Sequence, residues 1–257
     1  MAEHNVVREF GIIGFPLSHS RSPQYFHQKF EKENLAWHFY HLFEIDTIFK
    51  IHPLIKSHPF LYGLNVTTPH KQTVIPHLHR LDKTAEEIGA VNAIKIVHEG
   101  ETTELIGYNT DADAFIESLE EAWGLDFRKA MVFGSGGAAA AAHYALEMQG
   151  ITVTKVSRTT QKGYITYEEI TPSMFAEHSL LVNATPVGML NFPTQQLPIS
   201  PDNITDKHHL FDMIYNPEKT PFLQLGEEKG AKILNGNRMF EIQAEKSWKI
   251  FTHTATE

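Results

Sequence analysis

Four short polar islands in the first half of the chain hold the residue types that bind and protonate a small, oxygen-rich molecule. They are Ser18-His19-Ser20-Arg21-Ser22-Pro23, Asn65-Val66-Thr67-Thr68-Pro69-His70-Lys71, Gly89-Ala90-Val91-Asn92-Ala93 and Gly107-Tyr108-Asn109-Thr110-Asp111. Hydroxyls, amides, one lysine and one aspartate, each beside an apolar run, suit a polyhydroxylated or carboxylated ligand. Taken singly, each island has a plainer reading. Ser20 and Ser22 could cap a helix, Asn65 could sit in a turn, Asp111 could be an N-cap and Lys71 an exposed cation.

A second chemistry is written in the middle of the chain. Ala130-Met131-Val132-Phe133 reads as a buried strand and runs directly into Gly134-Ser135-Gly136-Gly137-Ala138-Ala139 and an alanine-rich helix. Strand, GSGGAA, helix, strand is the setting a dinucleotide site requires. Gly134 permits the tight turn, Gly136 lets the backbone approach a pyrophosphate, and Ala139 takes the third small position, where helix packs on strand. The helix N-terminus then offers free N–H groups and partial positive charge to phosphates. A purely structural turn is the alternative.

The end of the next strand selects the nucleotide. An acid about 20 residues on would hold a ribose 2′-hydroxyl. Here the place reads Val156-Ser157-Arg158-Thr159-Thr160-Gln161-Lys162, with no acid. Arg158 and Lys162 suit a 2′-phosphate through charge-assisted hydrogen bonds, so NADP is expected rather than NAD. Two solvated surface cations are the other reading.

The elements that must position these groups alternate between strand and helix, which points to an α/β protein. Strands are expected at 10–14, 37–43, 61–67, 130–133, 151–156, 179–182, 210–213 and 231–234. A hairpin is expected from 91–97 and 103–108 across His98-Glu99-Gly100-Glu101. Ser22 and Pro23 read as N-cap and N1 of a helix with Phe26 and Phe30 on one face. Further helices are expected at 84–89, from Asp111 (with Phe115, Ile116, Leu119 and Trp123 at helical spacing), from 138 to near Gly150, and from about Met239 to the end.

Composition sets the outer bounds. The chain has 257 residues, 42% of them hydrophobic and 21% charged, which is ordinary for a globular protein of one large or two small domains. Lys plus Arg is 22 against 31 Asp plus Glu, a net charge of -9. That argues against general nucleic-acid binding while leaving room for a local basic pocket. With no cysteine, disulfides, Cys-ligated zinc, iron–sulfur clusters and thiol nucleophiles are excluded. The closest histidine pairs, His77/His79 and His208/His209, lack the spacing of a helical zinc motif and read as exposed histidines, so no metal is expected. The N-terminal MAEHNVVREFGIIGF lacks a signal-peptide pattern, and no apolar run approaches the ~18 residues of a membrane span, so a cytoplasmic protein is expected.

Taken together, the motifs resemble the shikimate dehydrogenase family. The matching stretches are HSRSP (19–23), NVTTPHK (65–71), GAVNA (89–93), GYNTD (107–111), GSGGAA (134–139), SRTTQK (157–162), NATPVGM (183–189), FDMIYNPEKTPFL (211–223) and NGNRMFEIQA (235–244). They occur in family order across almost the whole chain, and NVTxPxK followed by NTD is highly specific in combination.

The resemblance implies two α/β domains. Residues 1–110, completed by a C-terminal helix at 237–257, would form a substrate-binding catalytic domain. Residues 111–236 would form a Rossmann-type NADP-binding domain, with the active site in the cleft between them. It implies NADPH-dependent reduction of 3-dehydroshikimate to shikimate, with Lys71 and Asp111 as the catalytic pair. Ser20 and Ser22 would bind the substrate carboxylate, and Asn65, Thr67, Asn92, Tyr215 and Gln243 would surround the ring. Gly134, Ser135, Gly136, Gly137 and Ala138 would take the pyrophosphate, and Ser157, Arg158, Thr159 and Lys162 the adenosine 2′-phosphate. Asn183, Ala184, Thr185, Met213 and Gly236 would border the nicotinamide.

The chain departs from the family pattern in places. Ala112 follows NTD where Gly is frequent, Ser157 replaces a commoner Asn, and Asn237-Arg238 replaces a Gly-Leu or Gly-Ile pair. Arg238 is expected either near the nicotinamide or in solvent, and the C-terminal helix is expected to be short. The rival readings are an NAD-linked quinate/shikimate dehydrogenase and a non-catalytic ligand sensor on the same fold. The Arg158/Lys162 pair counts against the first and intact Lys71 and Asp111 against the second. Monomer and homodimer are both compatible with the motifs.

Overall fold

The structure is a computed structural model and describes residues 6–18, 20–100, 102–190 and 195–253. The chain divides into two units, Met1–Thr110 with Ala244–Glu257, and Asp111–Gln243. Among the described residues, no helix is long and apolar enough to cross a membrane.

The first unit is built on a six-stranded mixed sheet. Its strands are β1 (Arg8–Gly14), β2 (His38–Glu44), β3 (Leu61–Val66), β4 (Arg80–Leu81), β5 (Ala93–Glu99) and β6 (Thr102–Tyr108), in the order β2-β1-β3-β5-β6-β4. β2, β1 and β3 run parallel because α1 (Ser22–Lys32) and α2 (Ile51–Ser57) carry the chain back between them. β5 and β6 form the expected hairpin. They pair out to Glu99 opposite Thr102, and Gly100 turns at φ +62°, a conformation that favours glycine. Two short helices, α3 (His70–Thr73) and α4 (Lys83–Ile88), complete this stretch, and the Asp82 side chain caps α4 by accepting from Thr84 and Ala85 N–H.

Aromatic packing fixes α1 on this sheet. Phe26 and Phe30 are buried, as their spacing predicts, and Phe26 stacks on Tyr40 with ring centroids 4.3 Å apart. Phe10 meets Trp248 edge-on at 5.1 Å. A Cβ on Gly63 would collide with the Phe251 ring, and buried Lys95 donates its ammonium to the His253 carbonyl. Shape and a charge-assisted bond thus dock residues 244–253 on β3 and β5. The start of α1 differs from the expectation. Arg21 is the N-cap, Ser22 is the first helical residue and Pro23 the second. Ser22 is buried and its N–H reaches Ser20 Oγ at 3.4 Å, so Ser20 braces the entry instead of Ser22.

The second unit holds the doubly wound sheet. Its strands are β7 (Lys129–Phe133), β8 (Thr152–Ser157), β9 (Ile165–Thr166), β10 (Leu180–Asn183), β11 (His209–Asp212) and β12 (Lys232–Asn235), all parallel, in the order β12-β11-β10-β7-β8-β9. The helices are α5 (Asp111–Trp123), α6 (Gly137–Met148), α7 (Pro172–Glu177), α8 (Pro221–Glu228) and the start of α9 (Asn237–Thr252), whose residues from Ala244 on belong to the first unit. The chain winds outward from β7 through β8 to β9. It then returns to lay β10 on the other side of β7, and ligands bind at such a switch point. Ala130, Met131, Val132 and Phe133 are wholly buried, the continuous apolar run of a strand covered on both faces. Met131, Phe133, Leu181, Leu210 and Phe222 share one core cluster.

The structure corrects two expectations. The final helix starts at Asn237, where the Asn235 side chain accepts the Asn237 N–H at 3.1 Å. At 16 residues it is the longest helix among those described, not a short one. His208 is buried instead of exposed, and its Nε2–H donates to the Phe175 carbonyl at 3.0 Å. His70 does the same for Ile45 at 2.8 Å. A buried carbonyl outside the regular ladders needs a donor, and an imidazole N–H supplies one.

Candidate active site

In the first unit, the polar islands gather at the ends of β1, β3 and β6 and at the start of β5. Thr67 N–H donates to Ile13 carbonyl at 2.9 Å, and His70 N–H to Thr67 carbonyl at 2.9 Å. The Lys71 carbonyl accepts Val91 N–H at 2.7 Å. Together with the His70–Ile45 bond, these contacts lock the backbone that carries Lys71, whose side chain is half-buried in the first turn of α3. Thr67 and Ser20 are also half-buried. His19 lies outside the described residues.

Asn65 and Asn92 form the floor of this region. Asn92 Nδ2 donates to Thr110 Oγ1 at 2.8 Å and its Oδ1 accepts Thr110 N–H at 2.7 Å. Asn92 thereby sets the backbone that leads directly into Asp111. Asn65 lies in β3, not in a turn, and is 5% exposed. Its Oδ1 accepts from Tyr40 O–H at 2.8 Å. Its amide nitrogen donates to Ser247 Oγ at 2.9 Å and to the Asn92 carbonyl at 3.3 Å. Both N–H groups and the oxygen are therefore engaged inside the protein. Asn65 also supports Asn92 from below.

In the second unit, the expected cofactor residues converge at the C-terminal ends of parallel strands. Gly134 has φ +126°, and a Cβ there would stand 2.9 Å from the Ala184 carbonyl oxygen. Gly136 is the N-cap of the 12-residue α6, and a Cβ there would meet no protein atom within 4 Å. That open cradle at a helix N-terminus, flanked by exposed Ser135 and half-buried Gly137 and Ala138, fits a diphosphate. Ala139 is fully buried against the sheet, as the fingerprint requires.

At the end of β8, Arg158, Thr159 and Lys162 are exposed and available to a phosphate. Ser157 is different. It is buried and its hydroxyl donates to the Thr159 carbonyl, which stiffens the loop. On the other side of the switch point, β10 ends at Asn183, and Ala184 and Thr185 follow. A Cβ on Gly236 would run into the Met213 backbone, so only glycine allows these two segments to touch.

Asp111 is buried at the first position of α5, where the helix dipole favours a carboxylate. Tyr215 packs its ring 4.9 Å from that of Phe240, and Gln243 donates to the Phe240 carbonyl at 3.0 Å. Arg238 is exposed, the second of its two expected places, and it is ion-paired there. It forks onto Glu121 at 2.6 and 2.8 Å and reaches Glu241 at 3.2 Å, and these partners hold it charged. Sequence reasoning missed Ser247, Tyr40 and Thr220 as supports of these sites.

Gly134→Ala tests the turn itself. The residue would be held at positive φ against a backbone oxygen, which costs about 1–3 kcal/mol. Chemical denaturation should show that loss, and NADPH titration should show weaker binding. An unchanged midpoint with unchanged affinity would remove Gly134 from the site.

A doubly wound sheet with a glycine-rich turn after its central strand, in one chain with a second α/β unit rich in hydroxyls and amides, defines the class: a dinucleotide-linked oxidoreductase. Comparison with known proteins gives the family. Residues 12–94 match the family model described as the shikimate dehydrogenase substrate binding domain. A shikimate dehydrogenase (NADP(+)) from Shouchella clausii is 35% identical over 265 residues, covering 96% of this chain and 94% of its own. The crystal structure of shikimate dehydrogenase from Aquifex aeolicus is 31% identical with a TM-score of 0.85, covering 98% of this chain and 94% of its own. The shikimate 5-dehydrogenase of Thermus thermophilus, in complex with NADP(H) and shikimate, is 29% identical with a TM-score of 0.84, covering 98% and 95%. The chain belongs to the shikimate dehydrogenase family.

Proposed function

We propose that this protein is a cytoplasmic, NADP-dependent shikimate dehydrogenase, reducing 3-dehydroshikimate to shikimate reversibly on the route to chorismate and the aromatic amino acids. The observation that carries the reading is the pair Lys71 and Asp111, each at the head of a helix and each on backbone pinned by neighbouring strands and loops. In this reading residues 1–110 with the C-terminal helix bind the substrate and residues 111–236 bind the cofactor.

When bound, NADPH supplies a hydride to one face of the ketone. Lys71 donates the proton to the carbonyl oxygen and stabilises the charge that develops there. Asp111 orients the lysine and the substrate hydroxyls. Ser20 and Ser22 hold the carboxylate, with Asn65, Thr67, Asn92, Tyr215 and Gln243 around the ring. Gly134 to Ala138 hold the pyrophosphate, and Ser157, Arg158, Thr159 and Lys162 the 2′-phosphate. Asn183, Ala184, Thr185, Met213 and Gly236 border the nicotinamide.

One experiment tests this directly. Shikimate and quinate are each oxidised with NADP and with NAD, side by side. Shikimate with NADP should be the fastest of the four pairs by kcat/KM. A chain that prefers quinate with NAD would overturn the specificity, and a chain that binds shikimate without turnover would be a sensor.

A further inference from the structure

Asp212 ends β11 and is 0% exposed. A carboxylate so placed must be held by donors, or the fold would favour an apolar residue there. Asn183 Nδ2 at 3.0 Å and Thr220 Oγ1 at 2.6 Å both donate to its Oδ2, and Ile214 N–H donates to its Oδ1 at 2.9 Å. Burial pushes the carboxyl up to about 7, and the three donors act in the opposite direction by favouring the anion.

Two of the three donors, Asn183 and Ile214, lead to the same rim. Asn183 also donates to the Val187 carbonyl at 3.1 Å, and its Oδ1 accepts from Thr185 N–H at 3.0 Å and Thr185 Oγ1–H at 2.6 Å. Thr185 Oγ1 in turn accepts Val187 N–H at 3.1 Å. Met213 N–H donates to the Asn183 carbonyl at 3.0 Å, and Gly236 N–H to the Ile214 carbonyl at 3.1 Å. Thr220 is the N-cap of α8, which anchors the group to the helix layer. Asn183, Thr185, Val187, Asp212, Met213, Ile214, Thr220 and Gly236 therefore form one hydrogen-bonded set with a single carboxylate at its centre.

We infer that Asp212 is a positioning residue for hydride transfer: through Asn183 and Ile214 it fixes the segments that present the nicotinamide. The inference rests on the reading of residues 183–185, 213 and 236 as the nicotinamide border. In the same reading, affinity for the cofactor comes mainly from the pyrophosphate and 2′-phosphate contacts after β7 and β8. Loss of Asp212 should therefore act on kcat and leave KM largely alone.

The direct variant is Asp212→Asn. Whichever way its amide turns, an NH₂ group faces either the Ile214 N–H or the Asn183 and Thr220 donors, so the network must break. A misplaced reacting group costs on the order of 10²-fold, and that fall in kcat for shikimate oxidation is expected, with both KM values within about threefold. Because this variant can fail to fold, Thr220→Val and Thr220→Ser are measured beside it in the full chain. Thr220→Val removes one donor at nearly constant shape and should lower kcat about tenfold. Thr220→Ser keeps the donor and should restore it. A second readout needs no turnover: the nicotinamide fluorescence of bound NADPH should move toward that of free NADPH in Thr220→Val at nearly unchanged Kd, and return in Thr220→Ser. A lowered melting point with unchanged kcat and fluorescence would make the network merely structural and overturn the inference, as would a parallel rise in Kd. Should the wild type fail to oxidise shikimate, the functional reading falls, while the fluorescence comparison still decides the role of Asp212. A wild type that binds no NADPH overturns both.

Discussion

Lys71→Ala should lower kcat for shikimate oxidation by about 10²–10⁴-fold, the range of a lost general acid–base group, while KM for shikimate moves far less. Three features support so large an effect from one side chain. The lysine stands on a backbone held by Val91, Thr67 and His70, so its starting point is fixed before any ligand arrives. Its proposed task, a proton and a positive charge at the ketone oxygen, belongs to the transition state more than to the bound ground state. No cysteine exists in the chain to take over proton transfer. Lys71→Arg keeps the charge but enlarges and delocalises it, and should recover little of the loss. Steady-state kinetics with varied shikimate at saturating NADP separate the two parameters. A rise in KM alone would make Lys71 a binding residue.

The sequence made the cofactor half more legible than the substrate half, for a physical reason. A glycine-rich turn after a buried strand is a local solution to a local problem, so Ala130 to Ala139 declare their conformation by themselves. The same holds for α5, where Phe115 and Leu119 are buried at the expected spacing. Asn65 is the opposite case. Its role depends on Ser247, 182 positions away, and no pattern around Asn65 encodes that partner. Asp212 stands in an apolar run, and its meaning appears only when Asn183, 29 residues earlier, is brought beside it. Short elements were illegible for another reason: β4 and β9 are two residues each, too short for any periodicity, and exist only through their pairing with β6 and β8. Thr220-Pro221 does carry a helix-start signature of the kind read at Ser22-Pro23. It is Thr220 that caps its helix through Leu223 N–H, whereas at α1 the cap shifts to Arg21 because Ser22 is drawn into the interior.

The second large effect is expected at the other end of the cofactor. In Arg158→Ala/Lys162→Ala, KM for NADP should rise about 10- to 150-fold, the cost of charged hydrogen bonds worth roughly 1.5–3 kcal/mol, while KM for NAD stays where it was. The argument is one of difference. NADP and NAD share every group except the 2′-phosphate, so a residue that touches only that phosphate changes one KM and not the other. Arg158 should account for most of the effect, since its planar fork matches a phosphate bidentately, and Lys162 should add a smaller, point-charge share. Both side chains are exposed, so stability should change by no more than about 0.5 kcal/mol and a fall in activity cannot be blamed on unfolding. Exposure also makes the attraction salt-sensitive: KM for NADP in the wild type should rise with ionic strength, and this slope should flatten in the double variant. The loop that carries them is braced from within by Ser157 and Thr159, so removing the two charges leaves its path intact. If KM for NADP and NAD rose together, the pair would be acting on the shared part of the nucleotide, and the preference for NADP would have to come from elsewhere in the unit.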